Sequence, residues 1–438
     1  MASREYEIVL FGATGYTGKY TAEHITTNLP TDLKWAVAGR SHQKLQSLVE
    51  ELKPLNPDRL QPAIEVAQLE TADLYALARK TQLLISTVGP YYKYGTAVVD
   101  ACANCGTHYL DVTGESPWVK EIIEKYHDVA QKNRAILIPQ TGIESAPADL
   151  LTWALVSHIR HTLHLPTHRV TLTVHDMKAA PSGGTLATVL GLFDRYSAKE
   201  VADSMKPLAM DAVMDGVGEG RQRGLGTRRR KGWVERVFGV RTVPGLGTLT
   251  TSLQGGPDTP IIYRSRSLLT TPSTTTTTTY GPNFTFEPYA TARNALLGAL
   301  THLTLTLGTL ALLFLPPPLR RLLSHFIYAP GQGPSRASTR SDRIEWRATA
   351  VADTGADGDA DGDAEGDPKR AWASMRWEGS MYALTGLLVA EAARVIVRGG
   401  TMAAREVGGG VLTPAMLGAP FLEPLKGAGV RVEVRTMA

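Results

Sequence analysis

The chain has 438 residues, 43% hydrophobic and 20% charged, with a formal net charge of +4. That length supports two domains with separate cores, and the composition is that of a folded globular protein. The small positive excess, without any DNA- or RNA-binding motif, excludes a nucleic-acid partner, and two cysteines exclude a disulfide framework and point to a reducing compartment.

The first apolar run starts at Ile8, which leaves no length for a leader peptide. Ile8 to Phe11 predicts a strand ending in Gly12, with Gly15 and Gly18 following at intervals of three and a helical stretch after them. Strand, glycine turn and helix together present free backbone N–H groups and a positive helix end to a pyrophosphate. In that arrangement Gly12 makes the tight turn, Gly15 admits the phosphate and Gly18 lets helix pack on strand, with Thr14, Tyr16 and Thr17 completing the cradle. A second strand lies within Lys34 to Ser41. At its end, where an acidic residue would bind the ribose 2′-hydroxyl, stand Arg40 and Ser41, with Lys44 one turn on. A guanidinium and a hydroxyl there suit a 2′-phosphate, so the predicted cofactor is NADP(H) rather than NAD(H).

The α/β alternation continues. Strands are predicted at Ala63 to Ala67, Leu83 to Val88, His108 to Val112 and Ala135 to Pro139, with helices at Thr71 to Lys80, Thr96 to Cys105 and Trp118 to Lys132. This pattern predicts a Rossmann-type doubly wound parallel sheet. Thr87, Val88, Gly89 and Pro90 leave the carboxyl end of the fourth strand, where such sheets bind ligands. Cys102 and Cys105, with His108 and Asp111 at the same interval, precede Gly106 at a helix C-terminus, the wrong end for an activated thiol. Buried structural cysteines are expected there, and no metal site.

The later chain carries local departures. Thr274 to Thr279 is a threonine run, and Asp353 to Asp367 is an acidic Gly/Ala-rich insertion too polar to build a core. Within it, Asp357 to Gly362 imitates the start of an EF-hand loop, but the twelfth position is Pro368. A basic cluster, Arg221 to Arg241, reads equally as a solvated loop and as a contact for an anionic lipid surface or an acidic partner. Ala295 to Leu315 has no formal charge and is long enough to cross a bilayer, at about 30 Å as a helix. A crossing would strand the following chain opposite the nucleotide domain. A helix lying in one leaflet, or hairpinned with Leu319 to Phe326, is therefore preferred over a buried core or dimer helix. A helix at Tyr382 to Val397 and a strand at Val430 to Val434 close the chain.

Gly12 to Gly18, Ala38-Gly-Arg40, Thr87 to Tyr91, Gly106 to Glu115, Gly142 to Asp149 and Ser182-Gly-Gly-Thr185 resemble the saccharopine dehydrogenase-like oxidoreductases, a family that includes trans-acting enoyl reductases. The resemblance is dense over residues 6 to 200 and resumes near Tyr382 to Leu417. It implies an NADP-binding Rossmann domain over 1–150, then an α/β substrate and dimerisation domain over 151–438, with a C-terminal helix packing back. It also implies membrane or lipid-droplet association for the eukaryotic relatives, in agreement with the apolar segment. The expected location is the cytoplasmic face of such a surface, or otherwise the cytoplasm.

Three functions follow. The first is an NADPH-dependent reductase of an apolar acyl, polyketide or lipid-like substrate, free or carrier-bound, acting beside a polyketide or lipid synthase. The second is a saccharopine-type amino-acid or imine dehydrogenase, for which Arg264 and Arg266 are the candidate carboxylate binders. The third is a non-catalytic lipid-surface protein keeping a nucleotide-binding fold. Tyr91, Tyr94 and Asp111 are the candidate catalytic residues, with Tyr92 and Glu115 beside them; each also has an ordinary role in packing or capping. The helix start at Ser182 to Thr185 is a candidate carbonyl or phosphate cradle. No Gly-x-Ser-x-Gly elbow, His-Glu-x-x-His or P-loop is present, which argues against hydrolase, zinc peptidase and NTPase functions.

Overall fold

A computed structural model describes residues 4–179, 191–211, 231–270, 280–314, 333–354 and 369–437. The Ser182 to Thr185 motif, the threonine run, residues 221–230 of the basic cluster, most of the acidic insertion, and Leu319 to Phe326 lie outside the described residues.

The first sheet alternates in the predicted way: β1 (Tyr6–Phe11), α1 (Tyr16–Asn28), β2 (Trp35–Gly39), α2 (His42–Leu52), β3 (Ala63–Val66), α3 (Thr71–Lys80), β4 (Thr81–Ser86), α4 (Tyr91–Cys105), β5 (His108–Asp111), α5 (Ser116–Lys132) and β6 (Ile136–Ile138). The strands are parallel in the order β6-β5-β4-β1-β2-β3, and a two-residue strand, here β13 (Gly410–Val411), adds to β6. The period-2 pattern of the strands divides the core. Ile8, Leu10, Leu83, Ile85 and Leu110 face one layer, and Val9, Phe11, Leu84 and Tyr109 face the other.

On the second of these faces lie α3, α4 and α5. On the first, α1 and α2 leave a place that is filled from the far end of the chain by α11 (Met381–Arg398), so the C-terminal helix does pack back. Contact is close because Gly386 carries no side chain: a Cβ there would stand 2.8 Å from the backbone nitrogen of Thr21 in α1. Arg398 ends this helix in a double ion pair with Glu7 (2.6 Å) and Asp32 (2.7 Å).

Helix α6 (Ala146–His158) is buried continuously from Ala146 to Val156, without an amphipathic stripe, because the second sheet covers one side and the Gly255–Leu269 helix and the Pro414–Leu417 turn cover others. The second sheet has β7 (Thr167–Lys178) and β11 (Arg343–Ala352) at its centre, in the order β14-β12-β11-β7-β10-β9-β8. Its other strands are β8 (Arg241–Val243), β9 (Gly247–Thr250), β10 (Thr285–Thr291), β12 (Arg370–Glu378) and β14 (Arg431–Thr436). All its pairings are antiparallel except that of β7 with β10. Helix α7 (Ala198–Ser204) packs on α5, and helix α9 (Gly255–Leu269) packs on β10 and reaches back to α6.

The apolar segment forms α10 (Ala295–Phe314). Its first turns are anchored: Thr250 donates to the Gly298 carbonyl at 2.7 Å, and His302 bonds Thr251 at 2.7 Å. Beyond them the helix stands away from the body, and Leu303, Leu307 and Leu310 are exposed. No helix among the described residues is long and apolar enough to cross a membrane.

Candidate functional site

The glycine turn has the geometry its spacing predicts. Gly12 takes φ +86°, a region that favours glycine, and a Cβ there would lie 2.7 Å from Val88 Cγ2. A Cβ on Gly18 would overlap the Gly12 carbonyl oxygen. At Gly15 it would meet only that oxygen, at 3.2 Å. Gly15 is the N-cap of α1 and brings no capping side chain, so the first N–H groups of the helix are left for a ligand. Thr87 ties the fourth-strand loop to this turn, its hydroxyl donating to the Phe11 and Gly12 carbonyls, each at 3.1 Å. Val88, Gly89 and Pro90 continue that loop, with a cis bond between Gly89 and Pro90. Thr14 and Thr17 are partly exposed at the turn. Tyr16 contributes backbone only: its ring packs edge-on against Tyr382 at 4.8 Å and its hydroxyl donates to the Pro334 carbonyl.

Arg40 is exposed at the end of β2, and its guanidinium bonds no other described side chain. Ser41 beside it caps α2, accepting from the Lys44 N–H at 3.4 Å. The chain thus offers an open cradle and an unengaged cation at the two places where NADP(H) carries phosphate, and the residues present fit the cofactor. Arg40→Ala should weaken NADPH binding by about 10- to 100-fold and leave NADH binding unchanged, as loss of a charge-assisted phosphate contact requires. Parallel fluorescence titrations with the two cofactors measure this.

Three loops converge at the carboxyl ends of β4, β5 and β6. Asp111 is fully buried and ties two of them together, accepting from the Thr113 N–H (3.0 Å), the Gln140 N–H (3.0 Å) and the Tyr109 hydroxyl (2.8 Å). Burial pushes its carboxyl up to about 6, against the pull of those donors. Glu115 accepts the N–H groups of Tyr91 (2.8 Å) and Tyr92 (2.5 Å) and so caps α4 from across the site. Burial holds its carboxyl at about 7.

Tyr91 is buried against Trp118, and its hydroxyl donates inward to the Ser86 carbonyl at 3.0 Å. Tyr92 turns instead toward Tyr196 and Gly191. Tyr94 is partly exposed, with the Lys93 ammonium 5.2 Å from its ring centre. Cys102 lies buried in the last turn of α4, where burial pushes its thiol up, and Gly106 ends the helix at φ +65°. Among the described residues no group of three His, Cys, Asp or Glu is arranged to hold a metal.

Sequence reasoning missed the third loop's contribution. After β6 the backbone takes positive φ at Gln140 (+58°) and at Ser145 (+78°), and between them stands Glu144. Its carboxylate leans over Gly114, in the space a side chain there would take. The only available signal was its place in the Gly142 to Asp149 stretch. Beneath it lie two more carboxyls, Asp149 on α6 and Asp258 on α9. Asp149 accepts from Ser265 (2.6 Å) and the Ala415 N–H (2.8 Å). Burial raises Asp149 to about 7; burial, then Glu144, raises Asp258 to about 8.

These two shifts set a pH dependence of stability. Unfolded carboxyls titrate near 4, so between there and about 8 the folded state binds the extra protons. Their contribution is fully present below about pH 4 and is lost as pH rises through 7 to 8. Urea unfolding at pH 5 and pH 9 should show wild type losing stability over this span. Asp258→Asn should reduce the loss by more than about 1 kcal/mol.

Residues 8–138 match the family model of the saccharopine dehydrogenase NADP binding domain. A trans-acting enoyl reductase of Mycobacterium tuberculosis is 29% identical over 445 residues, 98% of this chain and 97% of its own length. A second protein of that organism, provisionally given the same name, is 29% identical over 99% of both chains. Among solved structures, apo saccharopine dehydrogenase (L-Glu forming) from Saccharomyces cerevisiae superposes with a TM-score of 0.51 at 14% identity, over 99% of this chain and 100% of that one, and so shares the fold.

Proposed function

Because the chain is an NADP-binding oxidoreductase of the saccharopine dehydrogenase-like family, we propose that it reduces an apolar acyl, polyketide or lipid-like substrate, working in trans on 2-enoyl thioesters. The observation that carries this reading is the end-to-end extent of the similarity to the mycobacterial trans-acting enoyl reductase. It includes the second sheet and α9, which flank the convergent loops, as well as the nucleotide domain.

The fate of two arginines supports it against a saccharopine-type substrate. Arg264 is 2% exposed and donates to the backbone carbonyls of Val411 and Met210, and Arg266 donates to the Pro282 carbonyl at 3.0 Å. Neither is held ready for a substrate carboxylate. The bound cofactor supplies hydride to the β-carbon; the protein positions the thioester at the loop ends, excludes water and furnishes a proton to the α-carbon.

A lipid surface is the second part of the reading. The exposed leucines of α10 adjoin α8 (Trp233–Phe238), whose Trp233, Val234, Val237 and Phe238 are also exposed and whose Arg236 projects among them. A surface of this chemistry favours an interfacial position beside a membrane-bound or lipid-making synthase.

NADPH oxidation followed at 340 nm with an octenoyl-N-acetylcysteamine thioester tests the reaction. The expected result is one saturated product per NADPH consumed. Tight NADPH binding with no turnover across thioester chain lengths would leave the non-catalytic lipid-surface function in its place.

A further inference from the structure

The convergent loops hold several carboxyls and phenols, and nearly all are engaged elsewhere. The Tyr91 hydroxyl serves Ser86, both oxygens of Glu115 cap α4, and Asp111 ties two loops together. Glu144 differs. It forms no hydrogen bond or ion pair with another described residue, and it is partly exposed where the loops meet. Next to it, Ser145 is buried, and both its hydroxyl and its N–H approach Asp258 from α9. Gln140 is fully buried and donates to the Ser145 hydroxyl at 3.2 Å, yet its own Oε1 has no donor. A carboxyl pair with one open member therefore sits beside an orphaned buried acceptor. That acceptor calls for an O–H that the chain does not otherwise supply there.

We propose that Glu144 is the proton donor of the reduction. The inference rests on the enoyl reductase reading. As hydride adds to the β-carbon, the π pair of the alkene moves to the α-carbon and thioester oxygen. The α-carbon then takes the proton of Glu144, and the O–H pair stays on Glu144 as carboxylate. The sum is one hydride and one proton added, and solvent restores the acid.

Removal from water disfavours a charged carboxylate, so burial lets Glu144 keep its proton to higher pH than a lone surface glutamate. The carboxyl coupled to Glu144 is that of Asp258 on α9, which has Asp149 of α6 on its other side.

The test uses NADPH and the same octenoyl thioester. Glu144→Gln should lower kcat by about 10²- to 10³-fold, with NADPH affinity and melting temperature unchanged, and Glu144→Asp should recover part of the rate. In wild type kcat falls as pH rises through the Glu144 titration. That limb should vanish in Glu144→Gln.

Gly114→Ala provides a second, steric route to the same loss. Its methyl group takes the space of the Glu144 carboxylate, and only the end of a flexible side chain must move, so the fold survives. Unchanged kcat and pH profile in Glu144→Gln and Gly114→Ala, in an enzyme that turns over, would overturn this inference alone. A wild-type protein that binds NADPH and reduces no enoyl thioester would overturn the reaction assignment and the proton donor with it.

Discussion

Gly15→Asp should abolish NADPH binding while leaving the melting temperature unchanged. Gly15 has φ −73° and ψ 168°, extended backbone that any residue adopts, and it occupies an N-cap position without a capping side chain. Aspartate is among the preferred residues there, and its charge complements the helix dipole, which offsets the 3.2 Å approach of its Cβ to the Gly12 carbonyl oxygen. The same carboxylate would occupy the place of the pyrophosphate. Two like charges about 4 Å apart in a partly shielded site repel by about 4 kcal/mol, roughly a thousandfold in affinity.

Gly18→Ala makes the opposite trade. Its methyl group would strike the Gly12 carbonyl oxygen and the Ala13 backbone, which cannot yield as a side chain can, and stability should fall by about 1–3 kcal/mol or more. Thermal melts with and without NADPH separate the two outcomes. A Gly15→Asp protein that still bound NADPH within tenfold of wild type would mean that the turn does not hold the pyrophosphate.

This contrast also marks where the sequence was informative. Local chemistry wrote the first sheet plainly: the glycine spacing, the continuous apolar runs of β1 and β4, and both ends of α3 agree with the pattern. Helix α4 begins at Tyr91, not Thr96, because its cap is the Glu115 carboxylate, twenty-odd residues on and invisible to a local reading. The two-residue strand β13 pairs with β6 from the far end of the chain, and no propensity marks so short an element. In the second sheet, β7 carries a legible Thr/Val alternation, but the parallel pairing with β10 and the central position follow from tertiary packing.

The site divides in the same way. The cofactor cradle is a contiguous motif. The carboxyl pair joins Glu144 to Asp258, residues that meet only because α9 packs against α6.

Replacing Leu300, Leu303 and Leu307 together by serine should release the protein from lipid without affecting reduction of a soluble thioester. Leu296, Leu300, Leu303, Leu307 and Leu310 follow one another at intervals of four and three, which draws a single stripe along α10, and each is exposed. Its contacts run to β9 and α8, away from the convergent loops, so the substitutions leave the site intact.

A stripe of this kind in water needs a cover, and two are physically open: a lipid interface or the same stripe of a second copy. The chemistry of the neighbouring helix supports the first. Trp233 is 70% exposed, with Phe238 beside it, and Lys231, Arg236 and Arg293 surround the patch. Aromatic rings and cations around an apolar helix suit a headgroup region better than a like-charged copy of the same surface, in which the cations would face one another.

Each leucine transferred from water is worth about 1 kcal/mol at this degree of exposure, so the triple variant should lose roughly two orders of magnitude in partitioning. Flotation with phosphatidylcholine vesicles, with and without phosphatidylserine, should show wild type bound more strongly to the anionic membranes and the variant left in solution. Wild type that stays unbound but sediments as a dimer, with the variant monomeric, would assign the stripe to a second copy and end the lipid reading.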